Sequence, residues 1–90
     1  MARYFFDIHD GGFFVDDVGV DCSTFDDVRM EAKKTLPAMA KDLLPDEGDQ
    51  HTIRVIVRDE SDVVVYTATL IFSGQTPKAP RRADLPSYQA

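Results

Sequence analysis

Hydrophobic and polar positions alternate with period two at both ends of the chain, and with a helical period between them. Tyr4, Phe6 and Ile8 alternate with Phe5, Asp7 and His9. Period two with aromatic residues predicts a strand. Asp10-Gly11 or Gly11-Gly12 then supplies the positive φ values of a tight hairpin turn. Phe13-Phe14-Val15 is expected to return as the second strand. A two-residue Asp10-Gly11 loop pairs Ile8 with Phe13 and Phe6 with Val15. Tyr4, Phe6, Ile8, Phe13 and Val15 then share one core-forming face.

Gly19 marks another turn, and Val20 to Cys22 forms at most a short extended piece. Ser23 and Thr24 are good N-caps, with Asp26 and Asp27 three residues after each, as in a capping box. A helix from about Phe25 to Leu44 follows. Val28, Ala32, Leu36, Met39, Ala40 and Leu43 recur at three- and four-residue steps and make one apolar stripe. Pro37 lies inside this stripe. Proline removes a backbone donor and crowds the preceding turn, at about 3 kcal/mol in a regular helix interior. A kink there, or two shorter helices, is the expectation. Pro45 and the sequence DEGD end the helix.

Ile53, Val55 and Val57 alternate with Arg54, Ile56 and Arg58, and Val63 to Phe72 is a long β-rich run. A hairpin centred on Glu60-Ser61 pairs Val57 with Val64, Val55 with Tyr66 and Ile53 with Ala68, which matches apolar with apolar. From Ser73 the chain turns to Pro77, Pro80, Pro86, small residues and charges, the composition of a flexible tail. The order β-β-α-β-β predicts an α+β fold: an antiparallel sheet of about four strands packed against one helix. Residues 1–72 are expected to form the single domain and residues 73–90 the tail.

Charge narrows the partners. The net charge is -6, and from Ser73 on Lys78, Arg81 and Arg82 stand against Asp84, so the tail carries +2 and the body -8. An acidic body is a poor polyphosphate binder, because counterion release needs clustered Lys and Arg. Nucleic acid and anionic membrane are therefore disfavoured. Residues 2 to 20 hold Arg3, Asp7, Asp10, Asp16 and Asp17 with no apolar core of a signal peptide, and Cys22 is the one cysteine. The expected location is cytoplasmic, with no intramolecular disulfide.

Candidate chemistry is sparse. His9 with Asp7 and Asp10 has the residue types of acid–base or metal chemistry. With two histidines and one cysteine, the chain is poorly supplied for a metal centre of about four ligands. Asp16-Asp17 and Asp59 to Asp62 lack the alternation of a calcium loop. Gly11-Gly12 precedes a strand, with no lysine after it, unlike a phosphate loop. Cys22 has no basic neighbour to activate it and suits a small buried apolar role. No catalytic residue, cofactor or metal is expected.

The stretch RYFFDIHDGG, the acidic turn with Gly19, the helix ending in LLPD and the hairpin IRVIVRDESDVVVYTATLIF together resemble domain of unknown function family 6894, whose members are small alphaproteobacterial proteins. The family pattern resembles Arg-Tyr-Phe-Phe-Asp near the start, Asp-Gly soon after and a V-R-D-E hairpin near the end. The resemblance covers about Met1 to Phe72. It carries no activity over, because the family has none established. Pro37 and the long proline-rich tail depart from the pattern.

The second sheet face points to a use. If Tyr4, Phe6 and Ile8 face the helix, then Phe5, Phe14, Ile56, Val63, Val65 and Ile71 face away, with Arg54, Arg58 and Thr67 among them. One helix cannot cover both faces. Half-apolar composition with arginine and aromatic residues is that of an interface. Phe5, Phe14, Arg54, Ile56, Arg58 and Val65 are thus the expected partner surface, for a protein partner or self-association; cover by the arginine stems and the tail is the alternative. The function expected is a non-enzymatic interaction or regulatory module. The alternative is an antitoxin-like or nucleic-acid-associated regulator, for which the basic tail is the one supporting feature.

Overall fold

A computed structural model describes residues 2–77. The elements are β1 (Ala2–His9), β2 (Phe13–Phe14), β3 (Val20–Cys22), α1 (Phe25–Leu43), a 3-10 turn (Leu44–Asp46), β4 (Gln50–Arg58) and β5 (Val64–Ser73). The fold is α+β. All strand pairs are antiparallel, in the order β2-β1-β4-β5, with β3 also paired to β1. Among the described residues the sheet thus has five strands, one more than the about four expected. The extra one is Val20–Cys22, whose three residues pair with Tyr4, Arg3 and Ala2.

The helix forms where the capping box places it. Thr24 Oγ1 accepts from the Asp27 N–H, and the Asp27 carboxylate accepts from the Thr24 and Ser23 N–H groups. Val28, Ala32, Leu36 and Ala40 are buried at four-residue steps, and Met39 and Leu43 pack beside them. They meet Phe6 and Ile8 of β1, Cys22 of β3 and Ile53, Val55 and Val57 of β4. Pro37 does not divide the helix, which runs unbroken over nineteen residues. Pro37 and Lys33 both lie on the exposed side. The carbonyl that loses its donor is therefore on the water side, where solvent can satisfy it.

Both hairpins depart from the expected register, with different consequences. In the first, Asp10 N–H donates to the Gly12 carbonyl, and Gly12 N–H donates to Asp10 Oδ1. Gly11, at φ 109°, takes the left-handed region. The loop therefore has three residues, Asp10–Gly12, and the pairs are Ile8 with Phe14 and His9 with Phe13. A one-residue shift exchanges the faces. Phe13 therefore joins His9 on the face away from the helix, and Phe14 joins Ile8. Phe13, Phe14 and Val15 are all exposed, so Phe13 and Val15 are not core.

In the second hairpin, Asp59 organises a longer turn. Its carboxylate accepts from Ser61 and Val63 N–H, its own N–H donates to the Val63 carbonyl, and Asp62 sits at φ 68°. Val57 pairs with Tyr66, Val55 with Ala68 and Ile53 with Leu70. The shift from expectation is two residues, which leaves the faces unchanged. A bulge falls between the pairs of Val57 and Arg58, and Val65 is its extra residue. Val65 is half-buried against the core rather than turned away from it.

Candidate interaction surface

The sheet face away from α1 carries Phe5, Asp7 and His9 of β1, then Arg58, Ile56, Arg54 and Thr52 of β4 in register beside them, then Val64, Thr67, Thr69 and Ile71 of β5. Of the expected surface residues, the structure brings Phe5, Arg54, Ile56 and Arg58 together here. Phe14 pairs with Ile8 on the other side, and Val65 lies in the bulge. The first difference follows from the three-residue turn and the second from the bulge.

The Phe5 end of this face is closed from within. Asp7 is 5% exposed. Arg58 Nε donates to Asp7 Oδ2 at 2.8 Å and Arg58 Nη2 to Asp7 Oδ1 at 3.2 Å, a two-point pair. Arg58 Nη2 also reaches the Asp16 carbonyl at 2.7 Å, and Nη1 reaches Asp62 Oδ1 at 3.0 Å. The guanidinium lies 4.9 Å from the centroid of the Phe5 ring. Hydrogen bonding to Asp7 raises the Arg58 pKa above its ordinary value, so the cation is permanent. Arg58 belongs to the expected partner surface, but its donors are occupied by its own chain.

Asp16 completes the closure. Its N–H donates to Asp7 Oδ1 at 2.9 Å, and its Oδ2 accepts the Phe6 N–H at 3.1 Å. Oδ1 accepts from Val18 and Gly19. Burial pushes the Asp16 pKa up, but the N–H bonds from Phe6, Val18 and Gly19 and the Arg58 charge outweigh it, and the result lies below the ordinary value. Gly19, at φ 81°, passes so close to Arg3 that a Cβ there would lie 2.8 Å from Arg3 Cγ. Arg3 Nη1 donates to the Val18 carbonyl, and Arg3 pairs with Asp21. The loop between β2 and β3 is thus tied to the sheet by charge-assisted bonds.

The other end of the face is open. His9 and Arg54 are exposed, and Ile71 is 69% and Phe13 58% exposed. Phe13 packs edge-on against His9 at 5.7 Å. Among the described residues the Arg54 side chain makes one hydrogen bond, Nε to Thr69 Oγ1 at 3.4 Å. Here β1 stops at His9 while β4 continues back to Gln50. The step leaves an open cleft of about 540 Å³ lined by His9, Asp10, Gly11, Gln50, His51, Thr52 and Arg54. His51 contacts Glu47 through Nδ1 at 3.4 Å, while its Nε2 is buried without a partner among the described residues.

Asp7, grouped in the sequence with His9 and Asp10, faces Arg58 instead. Alternation sets Asp7 on the face opposite Phe6 and Ile8 but does not name its partner, which stands 51 positions away. The two motif segments RYFFD and VRDE meet in this ion pair. Among the described residues no group of three or more His, Cys, Asp or Glu is arranged to hold a metal ion. Cys22 is buried, and burial together with nearby Asp27, Glu31 and Asp21 pushes its thiol pKa up, away from nucleophilic use. No described helix is long and apolar enough to cross a membrane. A family model described as a domain of unknown function, DUF6894, matches residues 3–71, and the chain belongs to that family. Neither a curated protein nor a solved structure matches the chain.

Proposed function

We propose that this DUF6894 protein is a non-enzymatic interaction module of the cytoplasm, which binds a protein partner through the open end of its sheet. The observation that carries the proposal is the contrast within one face. Asp7, Arg58 and Asp16 saturate one another at the Phe5 end, while His9, Arg54, Phe13 and Ile71 stand exposed at the other. Exposed apolar side chains beside a cation with spare donors suit a partner that presents an apolar residue and a carboxylate. Phe5 and Arg58 support this surface rather than contact the partner. Ile56, half-buried between them and Arg54, forms its floor. The nucleic-acid reading rests on Lys78, Arg81 and Arg82, which lie outside the described residues.

The test is affinity capture from native lysate with the wild-type chain and an Arg54→Glu variant, with circular dichroism as the folding control. A specific protein retained by the wild type and lost by the folded variant is the expected result. Capture that Arg54→Glu leaves unchanged, or recovery of nucleic acid instead of protein, overturns the proposal.

A further inference from the structure

We infer that the outer edge of β5 is a self-association site, where a second copy of this chain adds its own β5 antiparallel across a two-fold axis. This stands apart from the reading of the open face, because it uses the strand's backbone edge. Among the described residues β5 is the terminal strand of the sheet, ten residues long from Val64 to Ser73. An edge strand presents a row of N–H and C=O groups able to template another strand. Proteins usually blunt such edges with charge, proline or brevity. Here residues 63–76, VVVYTATLIFSGQT, hold no charged residue and no proline, in a chain of 26 charged residues in 90. The bulge lies at the start of the strand, so Tyr66–Ser73 keeps regular pairing.

The occupant follows from pairing chemistry. The chain's own residues 78–90 include Pro80 and Pro86. An added edge strand tolerates proline only where its missing N–H faces solvent, so this segment can pair with β5 in one facing only. A second β5 has donors throughout. It also brings no charge to the contact, whereas acidic surfaces elsewhere on two copies would repel. Antiparallel pairing of a strand with itself is self-complementary, the commonest symmetry of homo-oligomers. Directly opposed residues share a face, so residue i must meet one of the same parity. The axis therefore passes through a residue, and the middle of the strand makes that residue Ala68 or Thr69. An axis at Ala68 sets Thr67 opposite the partner's Thr69. An axis at Thr69 sets Thr69 opposite its own counterpart. The joined strands extend the open face of each copy into one continuous surface.

Sedimentation equilibrium of the 90-residue chain tests this, beside the double variant Thr67→Glu/Thr69→Glu. Both threonines are exposed, and Glu at 69 lies opposite Arg54 within the same copy, so the fold is retained. Either axis opposes like charges, which weakens association by at least about tenfold. The expected result is a wild-type dimer and a folded monomeric variant. Hydrogen exchange on the wild type gives a second readout that no variant can confound: β5 amides directed away from β4 gain protection as protein concentration rises. A wild type monomeric at high concentration, or a dimer whose β5 amides exchange independently of concentration, overturns the inference. Loss of open-face binding in Arg54→Glu with dimerisation intact would strike only the earlier proposal.

Discussion

At the β1 margin of the sheet, the stretch Phe5–Asp7 lies between the pairs made by β3 and those made by β2, and among the described residues no strand reaches its outer edge. Side chains close the gap: the Asp16 carboxylate takes the Phe6 N–H, and Arg58 clamps Asp7 to the Asp16 backbone. At the β5 margin, ten residues without a charge end the sheet with nothing beyond them among the described residues. The acidic residues beside β1 therefore have a local structural role. Carboxylates at Asp7, Asp16 and Asp21 hold the first margin, and their absence leaves the second available.

The largest effect should come from breaking the closed margin. Asp7→Ala leaves Arg58 without its main partner and frees the Asp16 N–H, and a buried pair that loses one member costs about 3 kcal/mol. The fold should persist with a lower denaturant midpoint, and exchange of the Asp16–Gly19 amides should accelerate first. If urea unfolding of Asp7→Ala matches that of the wild type within error, the clamp does not hold this margin.

Asp16→Asn is the intermediate case, and pH separates its parts. An amide cannot replace all the bonds to Phe6, Val18 and Gly19, and the loss near neutrality is about 1–2 kcal/mol. The native-state Asp16 pKa lies below its ordinary value of 3.8. The unfolded chain therefore takes up the proton first as pH falls. The stabilisation is complete above the unfolded value, fades below about pH 4 and is gone beneath the lowered native value. Asp16→Asn should unfold more easily at neutral pH, with the difference from wild type shrinking as the pH falls below about 4. A constant difference across that range would place the effect elsewhere than in this carboxylate.

Much of this contrast was visible in the sequence, with a clear physical boundary. The helix was legible because its signals are local: Thr24 with Asp27, and apolar residues at steps of three and four. The core faces of β4 and β5 survived a wrong register because the error was an even number of residues. The first hairpin did not, because Asp10 closed a three-residue loop instead of two, and an odd shift turned Phe13 and Phe14 over. Asp7–Arg58 was missed since its members are 51 positions apart, and no local period reports a contact at that range. Of the expected surface, Arg54 and Ile56 lie on the open face, Phe5 and Arg58 became its support, Phe14 moved with its turn and Val65 with the bulge.

The smallest expected effect sharpens the comparison from the open side. Ile71 is 69% exposed on the face away from α1, beside Thr52 of β4. Ile71→Thr keeps the β-branched shape that suits a strand, and it removes little apolar surface that folding takes from water. Measured at dilution, where one copy does not cover another, the change in unfolding free energy should stay within about 0.5 kcal/mol. An isoleucine covered by its own chain would behave otherwise, because fully burying such a side chain is worth about 1.5–3 kcal/mol and a hydroxyl in its place would need a partner. A loss above about 1 kcal/mol would therefore mean that the chain itself, through its residues beyond Pro77, covers this face. The surface would then be closed at both ends.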